Sequence, residues 1–93
     1  MDQIAKNNLY RLAITKWGKI SQLDMLVEES AELIKAVNKF KRFSSQQNCL
    51  NLLEEIADVE IMCEQVRIIF NNNDVIEGFK NEKLHRLANL LKS

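Results

Sequence analysis

Between Ser21 and Phe70 the chain reads SQLDMLVEESAELIKAVNKFKRFSSQQNCLNLLEEIADVEIMCEQVRIIF. Neither proline nor glycine interrupts it, and its apolar residues return at intervals of three and four, the period of a helix with one face turned to a core. The polar run Ser44-Ser45-Gln46-Gln47-Asn48 divides it, which predicts one helix from Ser21 to Arg42 and another from Gln47 to Phe70. Working outward, Gly18 ends an earlier helix spanning Asp2 to Lys16, and Ser21 is placed to cap the next. Ser44 or Ser45 is placed to cap the helix after that. The turn Asn71-Asn72-Asn73-Asp74 leads into a last helix from Asp74 to Leu91, where Asp74 and Glu77 have the spacing of a capping box and Gly78 weakens the interior. The expectation is all-α: one four-helix, bundle-like domain over residues 1–93, antiparallel because its connections are short. A chain of 93 residues buries a modest fraction of its surface, so self-association is a natural way to gain core and a dimer or tetramer is expected.

The acids of the two central helices do not all fall where solvent should be. At about 100° per residue, Glu60, Glu64 and Arg67 share a sector of roughly 60°, the pattern of a solvated stripe. Glu55 and Asp58 fall elsewhere, in the sector of Met62 and Ile69, bordered by Val66. On the preceding helix Lys35, Lys39 and Glu28 take one polar side, while Glu29 lies between Ala36 and Phe40 and Glu32 lies beside Met25. Two helices thus each bring a carboxylate pair, spaced i and i+3, to an apolar margin.

Four carboxylates gathered at such a margin lose hydration and raise one another's pKa unless cations compensate. One source of compensation is ordinary ion pairing, with Lys19, Lys35 or Arg42 as partners. Another is a hard divalent cation: Mg²⁺ and Mn²⁺ prefer oxygen ligands, and the acids have no partnering histidine or cysteine to suggest zinc. His85 is the only histidine, and with no acid or cysteine at nucleophile spacing it reads as a surface or interface residue. Geometry alone leaves both readings open.

Composition narrows the partners. Lys plus Arg balances Asp plus Glu at 13 each, which removes attraction to nucleic acid or an anionic membrane as a default. No apolar run is long enough to span a bilayer, and Met1 to Tyr10 mixes Asp2, Lys6 and two asparagines where a signal peptide would need an apolar block. A cytoplasmic protein is expected. Cys49 and Cys63 lie on one helix, about 21 Å apart, too far for a disulfide; they read as reduced thiols, with Cys63 on the apolar side as a small core residue. Tyr10, Phe40, Phe43, Phe70 and Phe79 are assigned to core or interface, and Trp17 to a packing anchor rather than a base-stacking platform.

The same acids carry a resemblance. Glu28-Glu29-Ser30-Ala31-Glu32 followed by Glu54-Glu55-Ile56-Ala57-Asp58 resembles the EExxE and ExxD signature of MazG-like all-α nucleoside triphosphate pyrophosphohydrolases. The flanks are similar too: Trp17-Gly18, Gln22 and Leu26-Val27 ahead of the acids, Leu33-Ile34-Lys35-Ala36-Val37 behind them. The resemblance, running from Lys16 to Phe70, implies Mg²⁺-dependent hydrolysis of a nucleoside triphosphate to monophosphate and pyrophosphate within a dimer or tetramer, with Mn²⁺ as a substitute metal. It implies that Glu29, Glu32, Glu55 and Asp58 are the metal ligands and the catalytic set, one of them orienting the attacking water. Lys83 and Arg86, one turn apart on the last helix, resemble the phosphate-gripping cations of such enzymes, with Lys80 as an alternative. A solvated basic face is the plain reading of the same three residues. The rival function is a non-catalytic bundle that oligomerises or docks on a partner helix, its acids serving as interhelical salt bridges. A third reading is a relative that binds nucleotide or metal without hydrolysis. Base and sugar preference are not written in these motifs.

Overall fold

In the computed structural model, which describes residues 1–93, the chain is four helices and no strand: α1 (Gln3–Trp17), α2 (Lys19–Arg42), α3 (Gln46–Phe70) and α4 (Asn73–Lys92). Local chemistry sets the boundaries. Asp2 caps α1 by accepting the Ala5 amide at 2.8 Å, and Ser45 caps α3 by accepting the Asn48 amide at 3.1 Å. Asn48 also donates its side-chain amide to the Phe43 carbonyl at 3.0 Å, which ties the α2–α3 connection to the start of α3.

Gly18 alone separates α1 from α2. Its φ of 89° and ψ of 157° belong to a region open essentially to glycine; its amide closes α1 on the Ile14 carbonyl, and its carbonyl accepts the Gln22 amide to open α2. The reversal is complete in one residue, so α2 starts at Lys19 and the expected Ser21 cap is not used. The expected capping box at Asp74 is also absent. Asn72 occupies the cap position of α4 without a side-chain bond, and Glu77 turns away to Arg67 of α3, 3.2 Å distant.

α2 and α3 form the most extensive helix pair, and α1 packs against both. Burial is sparse. Tyr10 and Met62 are the only buried apolar side chains, joined by Gln22 and Gln65. α4 packs along none of the other helices. Asn71, in the left-handed conformation that closes α3, and the Arg67 guanidinium, bonded to Asn73 at 2.6 Å as well as to Glu77, direct α4 outward. The four helices are therefore those read from the sequence, but three of them form the packed body.

Several side-chain expectations change accordingly. Glu64 and Arg67 are half-buried, because α1 and the start of α4 meet the face that periodicity marked as solvated. Cys63 is exposed rather than a core residue, and it lines a cleft with residues of α1 and α4. Phe43, Phe70 and Phe79 are exposed in the single chain, while Tyr10 is buried and Phe40 half-buried. Trp17 is 58% exposed and carries the Lys16 ammonium 5.5 Å over its ring rather than a packed neighbour. His85 is exposed, and no helix is long and apolar enough to cross a membrane.

Candidate metal centre

The middle turns of α2 and α3 face each other, and each helix sends its inward carboxylates into the seam. Glu29 from α2 meets Glu55 and Asp58 from α3, and one carboxylate oxygen from each lies within 4.8 Å of the others. All three side chains are half-buried. The i, i+3 spacing on α3 places Glu55 and Asp58 one turn apart on the side that carries Met62 and Gln65 into the α2 contact. Glu32 is exposed and outside this triad, yet close enough for its charge to act on Glu29.

The electrostatics follow from that crowding. Burial pushes the Glu29 carboxyl above its usual range, and the neighbouring charges of Asp58, Glu55 and Glu32 push the same way, as does a proton shared with Glu55. No lysine or arginine relieves the cluster. The only ion pairs in the structure are those of Glu77 with Arg67 and with Lys80, so Lys19, Lys35 and Arg42 do not neutralise these acids. The Glu55 Oε2 atom is buried and has no hydrogen-bond donor within reach. A lone buried carboxylate oxygen is costly, and a cation bound among three such oxygens removes the cost. The donor set, all hard oxygen with open positions on its exposed side, fits Mg²⁺ or Mn²⁺ better than zinc.

Beside the triad lies a shallow hollow of about 250 Å³, walled by Glu32, Lys35, Lys39, Asn51, Glu54 and Glu55. It puts two lysines at the rim of the acidic seam, without ion pairs of their own. Asn51 and the buried Gln65 were not among the residues singled out from the sequence. Gln65 shares the helical sector of Asp58 and Met62, so the periodicity that located the acids contained it; a neutral amide simply raised no electrostatic question. Lys80, Lys83 and Arg86 are exposed on α4, which does not pack along α2, so within one chain they stand apart from the triad. Lys80 instead pairs with Glu77 at 3.8 Å.

Compared with family models, curated proteins and solved structures, the chain matches none.

Proposed function

We propose that the chain is a Mg²⁺-dependent nucleoside triphosphate pyrophosphohydrolase of the MazG-like kind, active in the cytoplasm as a homo-oligomer. The buried, unpartnered Glu55 Oε2 within a triad free of lysine and arginine carries this reading. It favours cation binding over the rival salt-bridge scaffold, which needs basic partners that the acids do not have. The motif pair around Glu28–Glu32 and Glu54–Asp58 supplies the reaction class.

Glu29, Glu55 and Asp58 hold the metal, and Glu32 extends the carboxylate set toward the hollow. Bound there, Mg²⁺ would neutralise phosphate charge and make water a better nucleophile at neutral pH. Water oxygen bonds to the α-phosphorus, and the bridging oxygen leaves with pyrophosphate. The carboxylates position that water by accepting its hydrogens. Lys83 and Arg86, with Lys80 as an alternative, bind phosphate, Arg86 by the bidentate geometry that lysine lacks; since α4 stands away from its own α2, a neighbouring subunit delivers them. Lys35 and Lys39 line the hollow beside the seam in the same chain.

The test is pyrophosphate release over a panel of canonical and modified NTPs and dNTPs with Mg²⁺ or Mn²⁺, using chelator and Glu29→Gln as controls. Equal amounts of pyrophosphate and monophosphate, lost in both controls, are expected. Folded protein that is silent across the panel rules the hydrolase out, and metal binding without turnover would identify the non-hydrolysing relative.

A further inference from the structure

The even balance of charge over the whole chain conceals a segregation. Lys35, Lys39, Lys41 and Arg42 fall between Leu33 and Leu53, and none of the 13 acids does. At about 100° per residue these cations and Asn38 share an arc of roughly 160° on α2, on the side away from Glu29. All four are exposed, and none forms an ion pair. The helix dipole does not account for them: a helix C-terminus carries about half an elementary charge, whereas Lys39, Lys41 and Arg42 all stand in the last turn. Glu32, the nearest acid on α2, lies about 13 Å along the axis from Lys41, beyond the roughly 8 Å over which charge acts at physiological salt. Lys41 and Arg42 line a shallow cleft of about 540 Å³ with Asn38, and Phe43 follows them. Its ring is 70% exposed, yet its backbone is fixed. The Phe43 amide donates to the Lys39 carbonyl at 2.9 Å, and the Phe43 carbonyl accepts the Asn48 side-chain amide at 3.0 Å.

We propose that this end of the molecule binds single-stranded nucleic acid, with Lys39, Lys41 and Arg42 on the phosphates, Lys35 adding to the field and Phe43 stacked on a base. A phosphate backbone supplies the negative charge that this segment lacks. An aromatic ring held in place beside cations is a stacking platform that loses little freedom on binding, and the amides of Asn38, Gln46 and Gln47 can meet base edges. A duplex keeps its base faces from such a ring. A bilayer suits the surface less: Phe43 is followed by Ser44, Ser45, Gln46 and Gln47 and offers one apolar side chain, short of what stable insertion needs. The inference stands apart from hydrolysis, since Lys41, Arg42 and Phe43 take no part in the acidic seam.

Anisotropy of a fluorescein-labelled oligothymidylate of about 12 nucleotides, titrated with the full chain in chelator, tests the proposal. Without metal the acidic seam repels phosphate, so the readout does not depend on the hydrolase reading. A Kd on the order of micromolar is expected at low salt, with log K falling against log salt at a slope of about −2, or about 0.7 for each of three cations. Replacing Lys41 and Arg42 together by alanine should cut that slope to about −0.7. Phe43→Ala should keep the slope and weaken binding roughly five- to a hundredfold, the contribution of one stacked base, and Phe43→Trp should restore it. All three positions are exposed, and circular dichroism checks that the variants keep their helices. No binding at about 100 μM protein, a slope unmoved by the double replacement, or a duplex of equal length bound as tightly as the single strand overturns the proposal. So does binding to phosphatidylserine vesicles in place of the oligonucleotide, which would assign the surface to a membrane.

Discussion

The phenol of Tyr10 donates its hydrogen to the carboxylate of Glu64, and this is the one side-chain hydrogen bond that joins α1 to α3. It spans 54 positions of sequence and closes the three-helix body through a group buried among apolar neighbours. Burial first, then the hydrogen bond and the charge of Glu64, push the Tyr10 hydroxyl from 10.0 up to about 12. Tyr10→Phe removes the donor and leaves Glu64 half-buried without it, so a loss of about 1–2 kcal/mol is expected in a urea melt at neutral pH.

The same shift fixes an alkaline signature. Between the unfolded value near 10 and about 12, the folded chain keeps a proton that the unfolded chain has lost, so stability falls as pH rises through this window. Below pH 10 the contribution is complete. Thermal melts from pH 9 to 12 should show this decline in the wild type and a shallower one in Tyr10→Phe; parallel curves would remove Tyr10 as the cause.

Glu29 produces a slope of the same sign in the acidic range. Its folded pKa is raised, chiefly by burial, so the native state binds more protons and the metal-free chain loses stability as pH rises from the ordinary carboxylate range through the raised value. Glu29→Gln should flatten that slope and raise the melting temperature of the metal-free protein at neutral pH, since an amide brings no charge and can donate to Glu55. A variant less stable than wild type in chelator would mean that Glu29 is satisfied by a cation of the protein itself.

Divalent metal should reverse the penalty. A ligand at about a hundredfold over its Kd stabilises the native state by about 2.7 kcal/mol, which in a chain of this size raises the melting temperature by roughly ten degrees or more. Mg²⁺ or Mn²⁺ should give such a shift in the wild type and lose most of it in Glu29→Gln and Asp58→Asn. Glu32→Gln should lose less, because Glu32 stands outside the triad. Equal shifts in all four proteins would place the ion elsewhere.

Gly18→Ala isolates a backbone term. Nothing lies within 4 Å of the position a Cβ would take, so the cost is the dihedral angle alone, about 1–3 kcal/mol for an L-residue held there. A thermal melt that leaves the variant unchanged would show the turn to be free to relax.

The helices and the acidic seam were legible in the sequence because both rest on short-range rules: unbroken apolar periodicity, and carboxylates at i and i+3 in an apolar sector. Ser45, Asn71 and Gly18 announced three of the boundaries, and Gly18 did so more strongly than expected, leaving Ser21 no cap to make. The faces of Glu64 and Arg67 were not legible. A wheel identifies a polar side, and whether another helix covers it depends on how Tyr10 and Glu77 happen to meet it. The outward course of α4 was hidden for the same reason, since its amphipathic pattern is that of a packed helix and the contacts that turn it away come from one arginine of α3. Glu32 was read as an equal of the other three acids; spacing put it one turn from Glu29 on α2, but Glu55 and Asp58 of α3 gather at Glu29 while Glu32 stays exposed.

That Tyr10 and Met62 are the only apolar side chains in the buried interior, the rest being half-buried or exposed, also shapes how a lone chain meets temperature. Exposed apolar surface is what gives unfolding its large heat capacity, and a single chain, with 7432 Å² already in water, has less left to expose than a compact chain of its mass. Its stability curve should therefore be shallower than that of a compact chain of its length. Mutually buried helices would make the curve steeper, so the curvature itself, followed against protein concentration, reports how much of the fold belongs to one polypeptide.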